Sequence, residues 1–107
     1  MRRLTTLLLA VLAACSRGPT LGDPVTVARA NAANPTVAVD SATGRVYVAW
    51  VQQAADSGWD VYLAGSDSAG AFDAPVRVND RPGEAMVATE NPPQVVVAGD
   101  GGVVVAW

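Results

Sequence analysis

Between Pro24 and Trp107 the apolar residues fall at every second position, in short runs broken by Gly, Pro, Asp and Ser. That is the period of an extended strand, and no segment carries the helical spacing. Strands are predicted near Val37–Asp40, Arg45–Val51, Asp60–Ser66 and Val76–Asn79, then near Val95–Ala98 and Val103–Trp107. A further strand is predicted at Pro24–Val27 (PVTV), in the role of an outermost strand preceding the first complete unit. In the second run Val46, Val48 and Trp50 share one face, while Tyr47, Ala49 and Val51 share the other. Both faces are apolar, so this strand is expected to be buried on both sides. Gln52–Gly58 reads as a polar loop, and Asn79–Asn91 as an irregular connection rich in Pro, Gly and charge. Asp100-Gly101-Gly102 reads as a tight hairpin turn.

The pattern repeats. NPTVAVDSATGRVYVAW, ending at Trp50, returns as NPPQVVVAGDGGVVVAW, ending at Trp107. The two stretches align without a gap at an offset of 57 residues. A repeat of this length built from short strands and turns predicts a stacked or radial all-β array, above all a β-propeller. The expected fold is all-β: about one and a half four-stranded antiparallel blades over residues 24–107. A closed propeller needs roughly four to eight blades. The chain is therefore expected to be the front part of a longer protein. The alternative is a small β-domain that is stable as an oligomer.

The N-terminal residues follow a different rule. Arg2 and Arg3 precede an apolar run, Leu4–Val11, too short to span a bilayer comfortably. It ends in Leu12-Ala13-Ala14-Cys15, which resembles the lipobox of bacterial lipoproteins. The resemblance implies a signal peptide over residues 1–14 and a lipid-bearing Cys15, with residues 15–23 as a short tether. Two or three acyl chains give stable anchoring, where one chain binds only marginally. The implied location is the cell envelope, in the outer membrane if the cell has one, since Ser16 follows the cysteine.

Cys15 is the only cysteine, so no disulfide within the chain is possible. After residue 14 five arginines face ten carboxylates, a net charge of −5, with no Lys and no His. An acidic chain without basic clusters argues against nucleic acid as a partner. It also leaves anchoring to the lipid rather than to a polybasic patch. Without histidine there is no Ser-His-Asp triad, and no P-loop or dinucleotide-binding glycine pattern is present. No cofactor is expected. Asp56, Asp60 and Asp67 lack the spacing of a calcium loop and read as turn acids, so no metal site is expected.

One turn carries a family signature. Ser66, Asp67, Gly70 and Phe72, followed by Pro75-Val76-Arg77-Val78, resemble the Asp-box of sialidase-like (BNR-repeat) propellers. That box sits between the third and fourth strands of a blade, which is its place here. It is degenerate: Ser66 and Gly70 are each displaced by one position, and Ala71 replaces Thr. The resemblance implies a structural turn, in which the short acid binds turn amides and the aromatic ring plugs the blade. It places the box away from the face where such propellers bind ligands.

Sialidases use an arginine cluster to clamp a carboxylate, a tyrosine nucleophile with a glutamate partner, and an aspartate as acid/base. The planar Arg fork suits a carboxylate. Arg29 and Arg45 lie near the first strands but outside a matching context, and read as arginines beside turns. Tyr47 and Tyr62 read as packing residues, and Glu84 and Glu90 as loop acids. No catalytic residue is assigned, so the segment is expected to lack enzymatic activity. Trp59, beside Asp60 in a loop, either stacks on a sugar ring or covers a blade edge. Trp50 and Trp107 share a repeat position and are expected in the core. The expected function is a membrane-anchored module that binds a glycan or another extracytoplasmic ligand, or acts as a scaffold. The alternative is the N-terminal part of an exo-sialidase-type glycoside hydrolase whose catalytic groups lie in other blades.

Overall fold

The structure is a computed structural model and describes residues 18–28, 31–55 and 58–107. Cys15, Arg29 and Asp56, with residues 1–14 read above as a signal peptide, lie outside the described residues.

The described residues form an all-β protein with no helix among them. Strands β1 (Ala32–Val39), β2 (Val46–Gln53), β3 (Trp59–Gly65) and β4 (Val76–Arg77) make one antiparallel sheet in sequence order. Strands β5 (Gln94–Val97) and β6 (Val103–Ala106) make a separate antiparallel hairpin. Consecutive strands pair as neighbours throughout, the shortest connection available to an alternating chain.

Strand β2 is the centre of the larger sheet, and its two faces differ. Tyr47, Ala49 and Val51 are buried, because the hairpin lies over them. Val95 meets Tyr47 and Ala49, joined by Ala38 and Leu63 from the sheet and Val97, Val103 and Val105 from the hairpin. A second group, Val51, Val61 and Ala85, continues this core toward the end of the sheet where β2 finishes. On the opposite face Trp50 is 2% exposed, stacked on Tyr62 with ring centroids 6.0 Å apart and planes 19° apart. Val46 and Val48 beside it are only half-buried, and Val37 and Val39 of β1 are exposed. The expectation of a strand buried on both sides therefore holds for one face. On the other, Val27 and Ala28 lie near Val48 and Trp50, and Val37 and Val39 stay exposed.

The hairpin register corrects the gap-free repeat. In the larger sheet Val37 pairs with Val48 and Val39 with Val46. In the hairpin Val95 pairs with Val105 and Val97 with Val103. Matching β6 to β2 thus places Val95 and Val97 on Val37 and Val39, an offset of 58, while the second strands keep 57. The missing residue is in the turn. Asp40 N donates to Arg45 O (2.8 Å), closing four intervening residues; Ala98 N donates to Gly102 O (2.7 Å), closing three. Each turn has a glycine at positive φ, Gly44 (75°) and Gly101 (85°). A three-residue loop ending in this conformation is a common hairpin closure. In the longer turn Asp40 accepts from Ala42 N (2.9 Å) and Thr43 Oγ1 (2.6 Å). These bonds, the Thr43 one foremost, hold its carboxyl below the ordinary 3.8.

Other elements depart from the sequence expectation for local reasons. Strand β1 begins at Ala32, five residues before Val37, and carries an irregularity between Ala33 and Thr36. Asn34 sits there at φ 53°, and Pro35 has no N–H for the ladder. Asn34 Nδ2 donates to Ala88 O (2.9 Å) and Thr36 Oγ1 to Pro93 O (2.6 Å), tying β1 to the connection before β5. Gln52 and Gln53, expected in a loop, extend β2, and Trp59 opens β3 rather than lying in a loop. Pro24–Val27 forms no strand. An outermost strand needs a sheet edge to extend. The four-stranded sheet already has β4 in that place, and the hairpin has only two strands.

Candidate functional site

The chain reversals divide between two ends of the molecule. At one end lie the turn after β1, the turn after β5 and the Ser66–Phe72 segment. At the other lie the β2–β3 connection and the long connection from Val78 to Pro93.

The first end is a scaffold of satisfied turns. Asp67 Oδ1 accepts from Ala69 N (2.8 Å) and Ala71 N (2.9 Å), and Gly70 takes φ 87°. Asp67 N donates to Ala71 O (2.7 Å), and Ser66 pairs with Phe72 across the turn. Ser66 Oγ accepts from Val46 N (2.9 Å), pinning the turn to β2. Phe72 is half-buried and stands outside both core groups. Arg45 is held here as well. Its Nε donates to Ser66 O (2.7 Å), its Nη2 lies 3.4 Å from Asp73 Oδ2, and its guanidinium is 5.3 Å from the Tyr47 ring centroid. A cation over an aromatic face is attracted by the ring quadrupole. Arg45 is thus bound to its own sheet, and Tyr47 beneath it is buried. A groove of about 360 Å³ runs between the two hairpin turns, from Asp40 and Thr43 to Gly99 and Asp100.

The second end is organised by a buried polar pair. Asp60 and Asn79 are 4% and 2% exposed. Asn79 Nδ2 donates to Asp60 Oδ1 (2.8 Å) and to Arg81 O (2.7 Å). Asn79 Oδ1 accepts from Val61 N (2.7 Å), replacing a backbone carbonyl where the short β4 has ended. Asp60 Oδ1 also accepts from Gly83 N (2.7 Å). The Asn79 bond outweighs the effect of burial and holds the Asp60 carboxyl below the ordinary 3.8, helped by Gly83 N and the charge of Arg77. Among the described residues no buried side-chain polar atom lacks a partner. Asp60 and Asn79 were not paired by the sequence reading. The signal was a polar residue at a strand position whose neighbours are apolar.

Between the sheets at this end lies an open groove of about 410 Å³. Val51, Ala85 and Pro93 form its floor, and Glu84, Met86, Asn91 and Trp107 its rim. Met86 and Trp107 are mostly exposed, Trp107 at 57%. Trp107 was expected in the core with Trp50. Trp50 is covered, with Tyr62 on β3 stacked against it, and among the described residues no ring stacks on Trp107. Trp59 lies behind the floor: its backbone pairs with Ala85, and its half-buried side chain packs against Val51, Val61 and Ala85. The exposed indole at this end is that of Trp107, not Trp59. Glu84, Asn91 and Met86 are residues that sequence reasoning did not assign to a site; they come from an irregular connection with no period to follow.

Among the described residues no three acids, histidines or cysteines converge as a metal group, and no helix is long and apolar enough to cross a membrane. In comparisons with known proteins, no family model, no curated protein and no solved structure matches the chain.

Proposed function

We propose that the chain is an exported lipoprotein, anchored through Cys15, whose β-module is of the sialidase-like propeller type and binds a glycan or a similar polar, ring-bearing ligand without chemistry. The observation that carries the binding reading is the groove at the loop end. Trp107, whose indole is exposed, lines one groove with Glu84 and Asn91 and with the buried Val51, Ala85 and Pro93. An aromatic face with a few polar groups around it suits a sugar ring, which offers C–H faces and hydroxyl edges. The propeller reading is supported by the sheet order and by the way the second unit stacks on the first. A non-catalytic role is favoured because Arg45, Tyr47, Asp60 and Tyr62 are each engaged in packing or hydrogen bonds within the fold.

The test has two parts. Palmitate labelling of cells that produce the chain is expected to mark it, and Cys15→Ser to abolish the label. Glycan titration followed by tryptophan fluorescence is expected to be saturable and to be lost in Trp107→Ala. Turnover of a sialoside by the purified chain would overturn the non-catalytic reading.

A further inference from the structure

Two valine faces of the molecule stay open, and the packing inside the chain shows what fits them. The interface between the sheets joins two different kinds of face. The hairpin presents Val95, Val97, Val103 and Val105. By the observed register these are the counterparts of Val37, Val39, Val46 and Val48. The larger sheet presents its opposite face, with Ala38, Tyr47 and Ala49. The counterparts of those three on the hairpin are Val96, Val104 and Ala106.

One face of each kind is therefore left over. Val37 and Val39 are 62% and 59% exposed, and Val96 and Val104 are 59% and 55% exposed. Side chains alternate across a strand, so each open face points away from the internal interface, and the two point in opposite directions. Within residues 18–107 the two faces do not meet. The segment before β1 reaches only part of the first face: Val27 and Ala28 share a groove with Ala33, Val48 and Trp50, and Val37 and Val39 stay exposed.

We propose that the two faces mate between copies of this chain, the Val96/Val104 face of one receiving the Val37/Val39 face of the next. This continues between molecules the stacking already present within one: the inserting face has valine at the same four register positions, and the receiving face has Val96, Val104 and Ala106 where the internal one has Ala38, Tyr47 and Ala49. The contact is heterologous, so it builds rings if the rotation closes and open stacks if it does not. Exposed β-branched rows of this kind are a driving surface for such association. The inference rests on the packing between the sheets and not on the reading of Cys15 or of the loop-end groove.

The test is crosslinking of the full chain carrying Cys15→Ser, so that no native thiol competes. Three variants are compared in that background: Val37→Cys, Val104→Cys and the two together. Mild oxidation of the double variant is expected to give a ladder of dimers, trimers and higher species on a non-reducing gel. A mixture of the two single variants is expected to stop at the dimer, and each single variant alone to stay monomeric. Monomers in every lane, or dimers of a single variant alone, would overturn the proposal; the latter would indicate a two-fold contact instead. Sedimentation of Val39→Asp and Val96→Asp provides a second reading that needs no disulfide. Both sites are exposed, so each variant is expected to keep the strand spectrum of the parent and to associate less. Association equal to that of the parent would count against the interface.

Discussion

Asn79 Nδ2 lies 2.8 Å from Asp60 Oδ1, both side chains almost wholly out of solvent, at the point where β4 stops pairing with β3. The pair does the work of two missing ladder positions. Asn79 takes the N–H of Val61, and Asp60 takes the N–H of Gly83. The loop-end groove inherits its floor from this arrangement, since Ala85 is two residues beyond Gly83 and pairs with Trp59 beside Asp60.

Replacing Asn79 by Ala is expected to destabilise the fold by about 1–3 kcal/mol, since it leaves a buried carboxylate and a buried N–H short of partners. Urea unfolding followed by tryptophan fluorescence checks this. A loss below about 0.5 kcal/mol, the ordinary range for a surface change, would mean that water or a neighbour replaces the amide.

The same pair sets a pH dependence. The folded state holds the Asp60 carboxyl below its ordinary 3.8, so the unfolded chain binds the proton more readily. The stabilisation is complete above pH 3.8 and is lost as pH falls through the depressed folded value. The stability difference between the parent and Asp60→Asn is expected to be constant near neutrality. It should move against the parent as the solution is acidified below that value. A difference that stays flat down to pH 2 would show that Asp60 titrates as it does in the unfolded chain.

Gly65 has no room for a side chain. A Cβ there would stand 2.9 Å from Tyr47 Cε1 and 3.3 Å from Arg45 Nη2. Gly65→Ala is expected to cost about 1–3 kcal/mol by overpacking, and to displace the Tyr47 ring from under Arg45. A melting temperature equal to that of the parent would show that the ring moves aside freely.

Adjacent valines on β5 are expected to respond in opposite ways. Val95 is buried against Tyr47 and Ala49, and Val96 faces outward. Val95→Asp places a carboxylate in an apolar contact and is expected to cost at least about 2 kcal/mol. Val96→Asp is expected to change the stability of the isolated fold by no more than about 0.5 kcal/mol. Equal losses in urea unfolding would contradict the register of the hairpin.

Much of the architecture was legible in the alternation of apolar residues. Six strands, their antiparallel order and the two tight turns follow from period-two runs punctuated by glycine and aspartate. What escaped depends on partners that lie far off in sequence. β1 starts early because Asn34 and Thr36 find carbonyls at Ala88 and Pro93, more than fifty residues away. PVTV has a strand's pattern and pairs with neither sheet. Trp50 and Trp107 are equivalent by sequence, and neighbours distant in sequence, Tyr62 and the segment around Val27–Ala33, separate a core ring from an exposed one. For the candidate site, the sequence left Trp59 open between stacking on a sugar ring and covering a blade edge. Its half-buried side chain packs against Val51, Val61 and Ala85, and the groove is built mainly from the unpatterned connection.

The register of each hairpin works like a reading frame. In β2 the alternating residues differ in size, Val46 and Val48 on one side and Tyr47 and Ala49 on the other, so a slip would be resisted by the side chains themselves. In β5 and β6 Val95, Val96 and Val97 stand against Val103, Val104 and Val105, valine on both sides. There the backbone of a short turn, and not the side chains, chooses which valines face the core. The four-residue turn of the larger sheet keeps the corresponding valine pairs on the same face, so an extra turn residue alone leaves the faces unchanged, whereas a slip of β5 by one residue past β6 would exchange buried valines for exposed ones at little cost in apolar surface. This hairpin is thus a place where register, rather than a run of substitutions, decides what the molecule shows to its surroundings.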